Sequence, residues 1–417
     1  MAEKVKSRAI ELGFAAAGIA AAQESPHWLT FKSWVDEGYA GEMAYIPQRL
    51  EAYRHPEGVL PGCQSIIVLA APYRPSSPDP LPLGAGRVAA YAASRDYHQV
   101  LRQQLRELAI TVQNVFPDSR VRTALDTAPL LERSFAVLAG LGWLGKNCML
   151  IHPRFGSYLL LGEVLTTAKL QPDSPFPGTH CGTCGACIEA CPTGALVAPY
   201  LLDPRRCISY WTIEARGLAP RELRPLFGDW FFGCDVCQQV CPWNRKLFRA
   251  ETPNAENSWL LPGPVPHIDA CEVLAASDEQ LRLRFRQLPL WRAKSSGLRR
   301  NAALVLGNAL RKLSQDRRTG PPSTLDGREV PAESVSQGEW ATSTVETALR
   351  PGKPVEQWLS SLERALQDPH PVVRQVAAWA LAGYPSGRIR SLLERHLVME
   401  THPAVREEIE HALHFEL

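Results

Sequence analysis

The sequence predicts an α+β chain in three parts: an N-terminal α/β layer over residues 1–175, a cysteine-rich segment over 176–246, and a helical region over 247–417. Three observations predict it. Apolar runs of strand length alternate with helix-period runs before residue 175, eight of the eleven cysteines fall between Cys181 and Cys241, and three helical patterns after residue 290 share one theme. With 417 residues and 45% hydrophobic content, the chain can bury a sizeable core. Lys and Arg number 45 against 43 Asp and Glu, so the net charge of +2 offers no global attraction for a polyanion, and any nucleic-acid contact needs a local patch.

The first stretch, MAEKVKSRAIELGFAAAGIAAAQ, reads as one amphipathic helix. Glu11 and the short, weakly apolar Ala run argue against an export signal, and nowhere do about 18 apolar residues follow one another, so a cytoplasmic protein with no membrane partner is expected. SIIVLAAPY (65–73), bounded by Pro61-Gly62 and Pro72, reads as a buried strand. DYHQVLRQQLRELAITVQNVF has helical spacing, with Val100, Leu101, Leu105, Leu108, Val112 and Val115 on or near one face, and SYLLLGEVLTT reads as a second strand. Farther on, LRRNAALVLGNAL (298–310), DPHPVVRQVAAWALAGY (368–384) and THPAVREEIEHAL (401–413) each follow a basic residue with small and apolar ones at helical spacing. Such self-similarity predicts HEAT-like helical repeats; three unrelated amphipathic helices are the alternative. The polar, Pro-, Ser- and Thr-rich stretch at about 314–354 reads as a flexible insertion.

CGTCGACIEACP places Cys181, Cys184, Cys187 and Cys191 at the spacing C-x2-C-x2-C-x3-C-P, and CDVCQQVCP adds Cys234, Cys237 and Cys241, with Cys207 upstream. In two-cluster ferredoxins the first three thiolates of such a run hold one 4Fe-4S cluster and the fourth reaches the other. Crossed in that way, cluster 1 takes Cys181, Cys184, Cys187 and Cys241, and cluster 2 takes Cys191, Cys207, Cys234 and Cys237. Clustered cysteines point to a reducing compartment rather than a disulfide framework. Two four-cysteine zinc sites are the alternative, though zinc does not call for three thiolates ending in Cys-Pro. Cys63, Cys148 and Cys271 read as buried inert thiols, and His180 as a loop residue.

ASRDYHQVLR (93–102), ALDTAPLLERSFAVLAGLGWLGKNCMLIHPRFGSYLLLGEVLTT (124–167), RCISYWT (206–212) after the cysteine block, and LWRAKSSGLRRNAALVLG (290–307) together resemble the epoxyqueuosine reductases, over nearly the whole chain except the 314–354 stretch. The resemblance implies an N-terminal domain that binds base-off cobalamin with no side chain on cobalt, joined to the two 4Fe-4S clusters, and a helical domain that grips tRNA with a GUN-type anticodon. It implies reduction of epoxyqueuosine to queuosine at the wobble position, fed by a one-electron donor such as ferredoxin or flavodoxin, in a monomer. The cobalt-ligating motif D-x-H-x-x-G of other cobalamin proteins is absent; Asp96-Tyr97-His98 lacks its glycine and reads equally as a helix cap. A Cys that the family often has near the cobalt falls on Ala89 here.

Asp126, in LDTAP, is the implied proton donor; an N-cap role for Asp126 or Thr127 is the structural alternative. Tyr97, Asp126, Lys146, Leu150, Ser157, Tyr158, Leu161, Ser209 and Asp235 are the implied cobalamin contacts; Arg133, Lys146 and Asn147 either anchor corrin amides or acids or merely satisfy loops. Arg216, Trp291, Arg292, Lys294, Arg299, Arg300 and Arg374 are the implied tRNA contacts. A reductive dehalogenase-like enzyme and a ferredoxin-like electron carrier are the competing readings.

Overall fold

The computed structural model describes residues 1–75, 80–245, 247, 267–319 and 353–414. Its N-terminal sheet has four antiparallel strands in the order β1 (Ala16–Ala21), β2 (Ser65–Pro72), β7 (Leu159–Thr166), β4 (Val121–Ala124). Successive side chains of a strand point to opposite faces. In β2, Ile67, Leu69 and Ala71 join the helices Ala2–Glu11 and Tyr97–Val115, whereas Ile66, Val68 and Ala70 join the helix Glu132–Leu138. Both faces are covered, which is why this strand reads as an unbroken apolar run rather than an alternating one. Leu101, Leu105, Leu108 and Val112 supply the buried stripe of Tyr97–Val115, each full burial contributing about 1.5–3 kcal/mol.

The N-terminal stretch departs from expectation. Its helix stops at Glu11, and the Ala-rich run that follows is the edge strand β1. Small residues are needed there because the strand lies close under another segment: a Cβ at Gly18 would collide with the Ala139 carbonyl.

The boundaries expected near residues 175 and 246 do not separate independent sheets. β3 (Ala85–Val88), from the first part, pairs in parallel with β10 (Trp230–Phe232) of the cysteine segment and antiparallel with β11 (His267–Asp269) of the third. One core continues from Val88, Phe231 and Phe232 into the C-terminal helices. Two short hairpins, β5 (Trp143–Leu144) with β6 (Leu150–Ile151) and β8 (Leu196–Ala198) with β9 (Leu201–Leu202), flank the cysteines.

The three similar patterns lie on the helices Lys294–Thr319, Pro371–Ala382 and Pro403–His414, each packed on the next, with Lys353–Ala365 and Gly387–Met399 beside them. The 314–354 stretch is helical at its ends, since one helix reaches Thr319 and the next starts at Lys353; residues 320–352 lie outside the described residues. A buried ion pair, Arg224 to Glu408 at 2.9 Å, fastens the last helix to the segment following the first cysteines. Among the described residues, no helix is long and apolar enough to cross a membrane.

Candidate active site and cysteine block

Asp126 does not cap a helix. The helix after it begins at Glu132, with Leu131 in the capping position and no side-chain cap. Asp126 instead stands in left-handed backbone, φ +58°, and Thr127 N donates to Leu125 O at 2.7 Å, closing a three-residue γ-turn around it. A non-glycine residue in this conformation is strained by about 1–2 kcal/mol and persists only where its surroundings hold it. Two bonds do so: Tyr97 Oη donates to Asp126 Oδ2 at 2.7 Å, and Asp126 N donates to Glu132 Oε1 at 2.8 Å. The Asp126 carboxylate is 58% exposed, aimed at an opening rather than into a core.

Tyr97 is in turn set by its helix. Asp96 caps that helix, accepting from His98 N at 3.0 Å, and its carboxylate holds His98 Nδ1 at 2.8 Å while the His98 ring stacks on Tyr97. The Asp-Tyr-His triplet is therefore a cap that positions the Tyr97 hydroxyl; the imidazole is tied to its own helix through Nδ1, while its buried Nε2 has no hydrogen bond and lies 3.8 Å from Asp126 Oδ2.

Tyr45 and Tyr91 border the same opening. Burial and the nearby carboxylates of Glu214 and Asp126 raise the Tyr45 hydroxyl to about 12, against the pull of Arg292; Tyr91, which Asp126 and Asp235 both reach, is raised further. Arg292 holds Glu214 with two bonds, 2.6 and 3.0 Å, so the basic segment at 290–300 and Asp126 meet around these tyrosines. None of Tyr45, Tyr91 and Glu214 stood out in the sequence; each is an ordinary residue whose partners lie far away in the chain.

Ser157, Tyr158 and Asp235 form the floor between this opening and the cysteines. Gly156, at φ +64°, lets Asn244 approach so closely that a Cβ there would strike the Asn244 amide oxygen. Asn244 Nδ2 donates to Ser157 Oγ at 2.9 Å, Ser157 Oγ donates to Gln238 Oε1 at 2.9 Å, and Gln238 Nε2 donates to Asp235 at 3.2 Å. Asp235 also accepts from Ala90 N at 2.7 Å, and burial raises its carboxyl to about 6 despite these donors. These polar groups are occupied by one another. Ala89, where the resemblance expected a thiol elsewhere in the family, is buried with its N–H on Phe232 O.

The other implied contacts scatter. Leu150 and Leu161 belong to the core under the Glu132–Leu138 helix, whereas Tyr97 and Tyr158 belong to the core on the opposite face of the sheet. Ser209 lies beside the Cys207 thiol, at the start of the π-helical turn Tyr210–Glu214. Lys146 takes the loop-satisfying alternative: its Nζ donates to Gly182 O at 2.7 Å and Cys184 O at 2.8 Å, so it clamps the first cysteine loop. Arg133 donates to Cys148 O, and Asn147 to Cys237 O at 3.4 Å, both structural ties.

All eleven cysteines are free thiols, and eight sort into two groups. Cys181, Cys184, Cys187 and Cys241 line one cavity together with Lys146, His180 and Trp243. Cys207 and Cys234 lie within electrostatic reach of each other and of both Cys191 and Cys237, and Cys237 also reaches Cys187 of the first group. Burial raises the Cys187, Cys207, Cys234, Cys237 and Cys241 thiols, so without a cationic partner they are poor thiolates. Among the described residues no three His, Cys, Asp or Glu groups converge closely enough to hold a single ion, yet four thiols surround one cavity. That donor set fits a polynuclear iron-sulfur group better than one zinc ion. His180 lies in a bend, as a loop residue would, and its ring packs edge-on to Trp143, 4.8 Å away, at the wall of this cavity. Cys63 and Cys271 are buried as expected, whereas Cys148 is partly exposed.

Residues 180–244 match the family model described as a 4Fe-4S double cluster binding domain, and residues 54–127 match that described as "Epoxyqueuosine reductase QueG, DUF1730". The chain is 38% identical over 355 residues to the epoxyqueuosine reductase of Pseudomonas aeruginosa, spanning 84% of this chain and 94% of that one. It belongs to the epoxyqueuosine reductase family, a family of oxidoreductases. The enzyme of Gloeobacter violaceus is 39% identical over 319 residues, 75% of this chain and 98% of its own. Among solved structures, an epoxyqueuosine reductase with an epoxyqueuosine-modified tRNA-Tyr stem loop superposes with a TM-score of 0.80 at 27% identity, covering 99% of this chain and 97% of that one. The Bacillus subtilis enzyme, with its catalytic loop swung out of the active site, superposes at 0.79 with 27% identity, covering 99% and 98%.

Of the basic residues expected to hold tRNA, three are corrected. Arg300 is 1% exposed and donates to the carbonyls of Ala215 (2.6 Å), Gly217 (2.8 Å) and Trp211. Arg299 is buried against Ala276 O and Asp278, and Arg374 is paired with Glu400 at 2.7 Å and with Asp368 O. Their charges are met inside the protein, that of Arg299 by Asp278 at 2.6 Å and Asp368 at 3.5 Å. Arg216, Arg292 and Lys294 remain exposed, with Lys294 Nζ 5.1 Å over the Trp291 ring. Arg300→Met should therefore destabilise the fold by about 2–4 kcal/mol, because it strands buried carbonyls, while leaving RNA affinity per folded molecule unchanged. Urea denaturation and a binding titration on the same samples check both halves.

Proposed function

We propose that this chain reduces epoxyqueuosine to queuosine at the wobble position of tRNA, removing the epoxide oxygen as water with two electrons and two protons. The observation that carries the reading is the continuity from the cysteine block to Asp126: Asp235, between Cys234 and Cys237, accepts the Ala90 N–H at 2.7 Å, the Tyr91 ring next to Ala90 packs edge-on to Tyr97 at 6.2 Å, and Tyr97 donates to Asp126 at 2.7 Å. The binding of an epoxyqueuosine-modified tRNA-Tyr stem loop by a family member supports the substrate. In this reading, cluster 1 rests on Cys181, Cys184, Cys187 and Cys241, and cluster 2 on Cys191, Cys207, Cys234 and Cys237. Base-off cobalamin would sit beside Tyr97, Asp126 and Tyr158, over the Ser157–Asp235 floor. The fit rests on an orphaned polar atom at the opening: His98 Nδ1 is held by Asp96, but its buried Nε2 has no hydrogen bond and lies 3.8 Å from Asp126 Oδ2, where a polar group of the bound corrin could meet it. When bound, these groups supply low-potential electrons one at a time, received from a donor such as ferredoxin or flavodoxin.

The chain's own residues do the rest. Asp126 holds a proton at the mouth of the opening and delivers it to the oxygen of the opening ring, with Tyr97 fixing its carboxyl. Arg292, set by Glu214, together with Lys294, Trp291 and Arg216, grips the phosphates beside that base, carried on helices stacked as HEAT-like repeats. The deciding experiment is anaerobic: protein reconstituted with iron, sulfide and cobalamin, a chemical one-electron reductant, and a stem loop carrying epoxyqueuosine. Nucleoside mass analysis should show loss of one oxygen; an unchanged nucleoside would overturn the reading.

The RNA grip has its own expected outcome. Arg292→Ala with Lys294→Ala should weaken stem-loop binding and flatten its log-log salt dependence by about 0.7–0.9 per lost phosphate contact. Iron and cobalamin contents should stay as in the parent protein. Unchanged affinity would remove this patch from the interface.

A further inference from the structure

The middle of β7 carries a carboxyl that the reaction as described does not use. Glu163 is 0% exposed and lies in register with Ala124, two residues before Asp126, on one side and with Val68 on the other. No donor reaches either of its oxygens; the group beside it is the Glu132 carboxyl. Glu132 is the first residue of its helix, and its Oε1 accepts the Asp126 N–H at 2.8 Å. Two acceptor-only carboxylates facing each other out of water repel strongly, whereas one proton between them turns the contact into a short, charge-assisted hydrogen bond. Burial raises both groups above the usual carboxylate range, joined by repulsion from Asp126 at Glu132 and by the Glu132 carboxyl at Glu163. The other charges that reach the pair are Asp126, which faces both, and Arg133, which acts on Glu132 while its own N–H is committed to Cys148 O.

We propose that Glu132 and Glu163 are positioning residues for the reduction: a carboxyl pair sharing one proton, in which Glu163 orients Glu132 and Glu132 pins the strained γ-turn that presents Asp126. The turn does not hold itself, because a side chain at φ +58° relaxes once its N–H loses its acceptor. Glu132 is the anchor of the loop at its far end, six residues on. As pH rises through the raised range of the pair, the shared proton leaves, a fully buried Glu163 charge opposes the partly buried Glu132 charge, and the pin loosens. The sign is that of any carboxyl with a raised folded-state pKa: the stabilisation is complete at low pH and is lost on the alkaline side.

The proposal rests on Asp126 being the acid, and the experiment separates the two. Hydrogen–deuterium exchange is read first, on the full chain without cofactors. Glu132→Ala should speed exchange across 125–131 by about tenfold or more, while Glu132→Gln, which keeps an acceptor oxygen, should leave it slow. With reconstituted enzyme and the modified stem loop, Glu132→Ala should lower kcat by about tenfold or more with KM for the RNA unchanged, and Glu132→Gln should restore it. Glu163→Gln supplies a permanent N–H donor to Glu132, so it should stay active and lose the alkaline decline of the parent enzyme. Unaltered exchange and kcat in Glu132→Ala, or identical alkaline limbs in Glu163→Gln and the parent, would overturn the proposal. If Glu132→Ala fails to fold, the two glutamine variants still decide it through the pH profile. Asp126→Asn is run beside them: if it turns over normally, the acid assignment fails, and if it alone is inactive, only the pin is wrong.

Discussion

Asp126→Asn is expected to lower kcat on the modified stem loop by about 10²-fold or more, equivalent to about 2.7 kcal/mol of transition-state stabilisation. The substitution is unusually clean here. Asparagine is among the few residues that tolerate left-handed backbone, so the γ-turn at φ +58° survives. Its amide oxygen can still accept the Tyr97 hydroxyl, and its N–H still reaches Glu132. Geometry and cofactor content should be unchanged and only the transferable proton missing. Single-turnover rates with preloaded enzyme, alongside the corrinoid and iron contents, measure this directly; normal turnover would reduce Asp126 to a loop-shaping residue.

Cys207→Ser is expected to abolish turnover and to lower bound iron from about eight to about four per chain, the content of one lost 4Fe-4S cluster. Its partners can be told apart by non-additivity. Cys191→Ser added to Cys207→Ser should cost no further iron, because both thiols belong to the same group, whereas Cys181→Ser added to Cys207→Ser should empty both. Iron and sulfide analysis after anaerobic reconstitution reads the outcome. Equal loss from both doubles would mean that the crossed partition is wrong.

The sequence was most legible where chemistry dictates spacing. The C-x2-C-x2-C-x3-C-P run named the cysteine block, and Cys241, far away in sequence, does share a cavity with Cys181, Cys184 and Cys187. Strand β2 and the Tyr97–Val115 helix were equally clear, because both report one-dimensional burial patterns. Charge was less informative. A guanidinium looks the same in sequence whether it grips phosphate or, like Arg300, three backbone carbonyls, and only the path of the 211–217 segment decides between them. The Ala16–Ala21 strand was hidden by alanine's helix propensity, which sheet pairing with β2 overrides. Glu163 did leave a signal that the strand reading passed over: a lone acid amid LLLGEVL, where an apolar side chain would be the ordinary choice.

The sheet that joins β3, β10 and β11 also constrains how the protein is made. β3 finds its parallel neighbour about 140 residues later and its antiparallel one after a further stretch, so neither edge can close while the chain is short. During synthesis the thiols emerge before their supporting strand has both partners. The metal-carrying segment therefore matures on a late, long-range assembly and is not a portable ferredoxin: cut out between its outer cysteines, it would leave Phe231 and Phe232 exposed and Asp235 without the Ala90 amide.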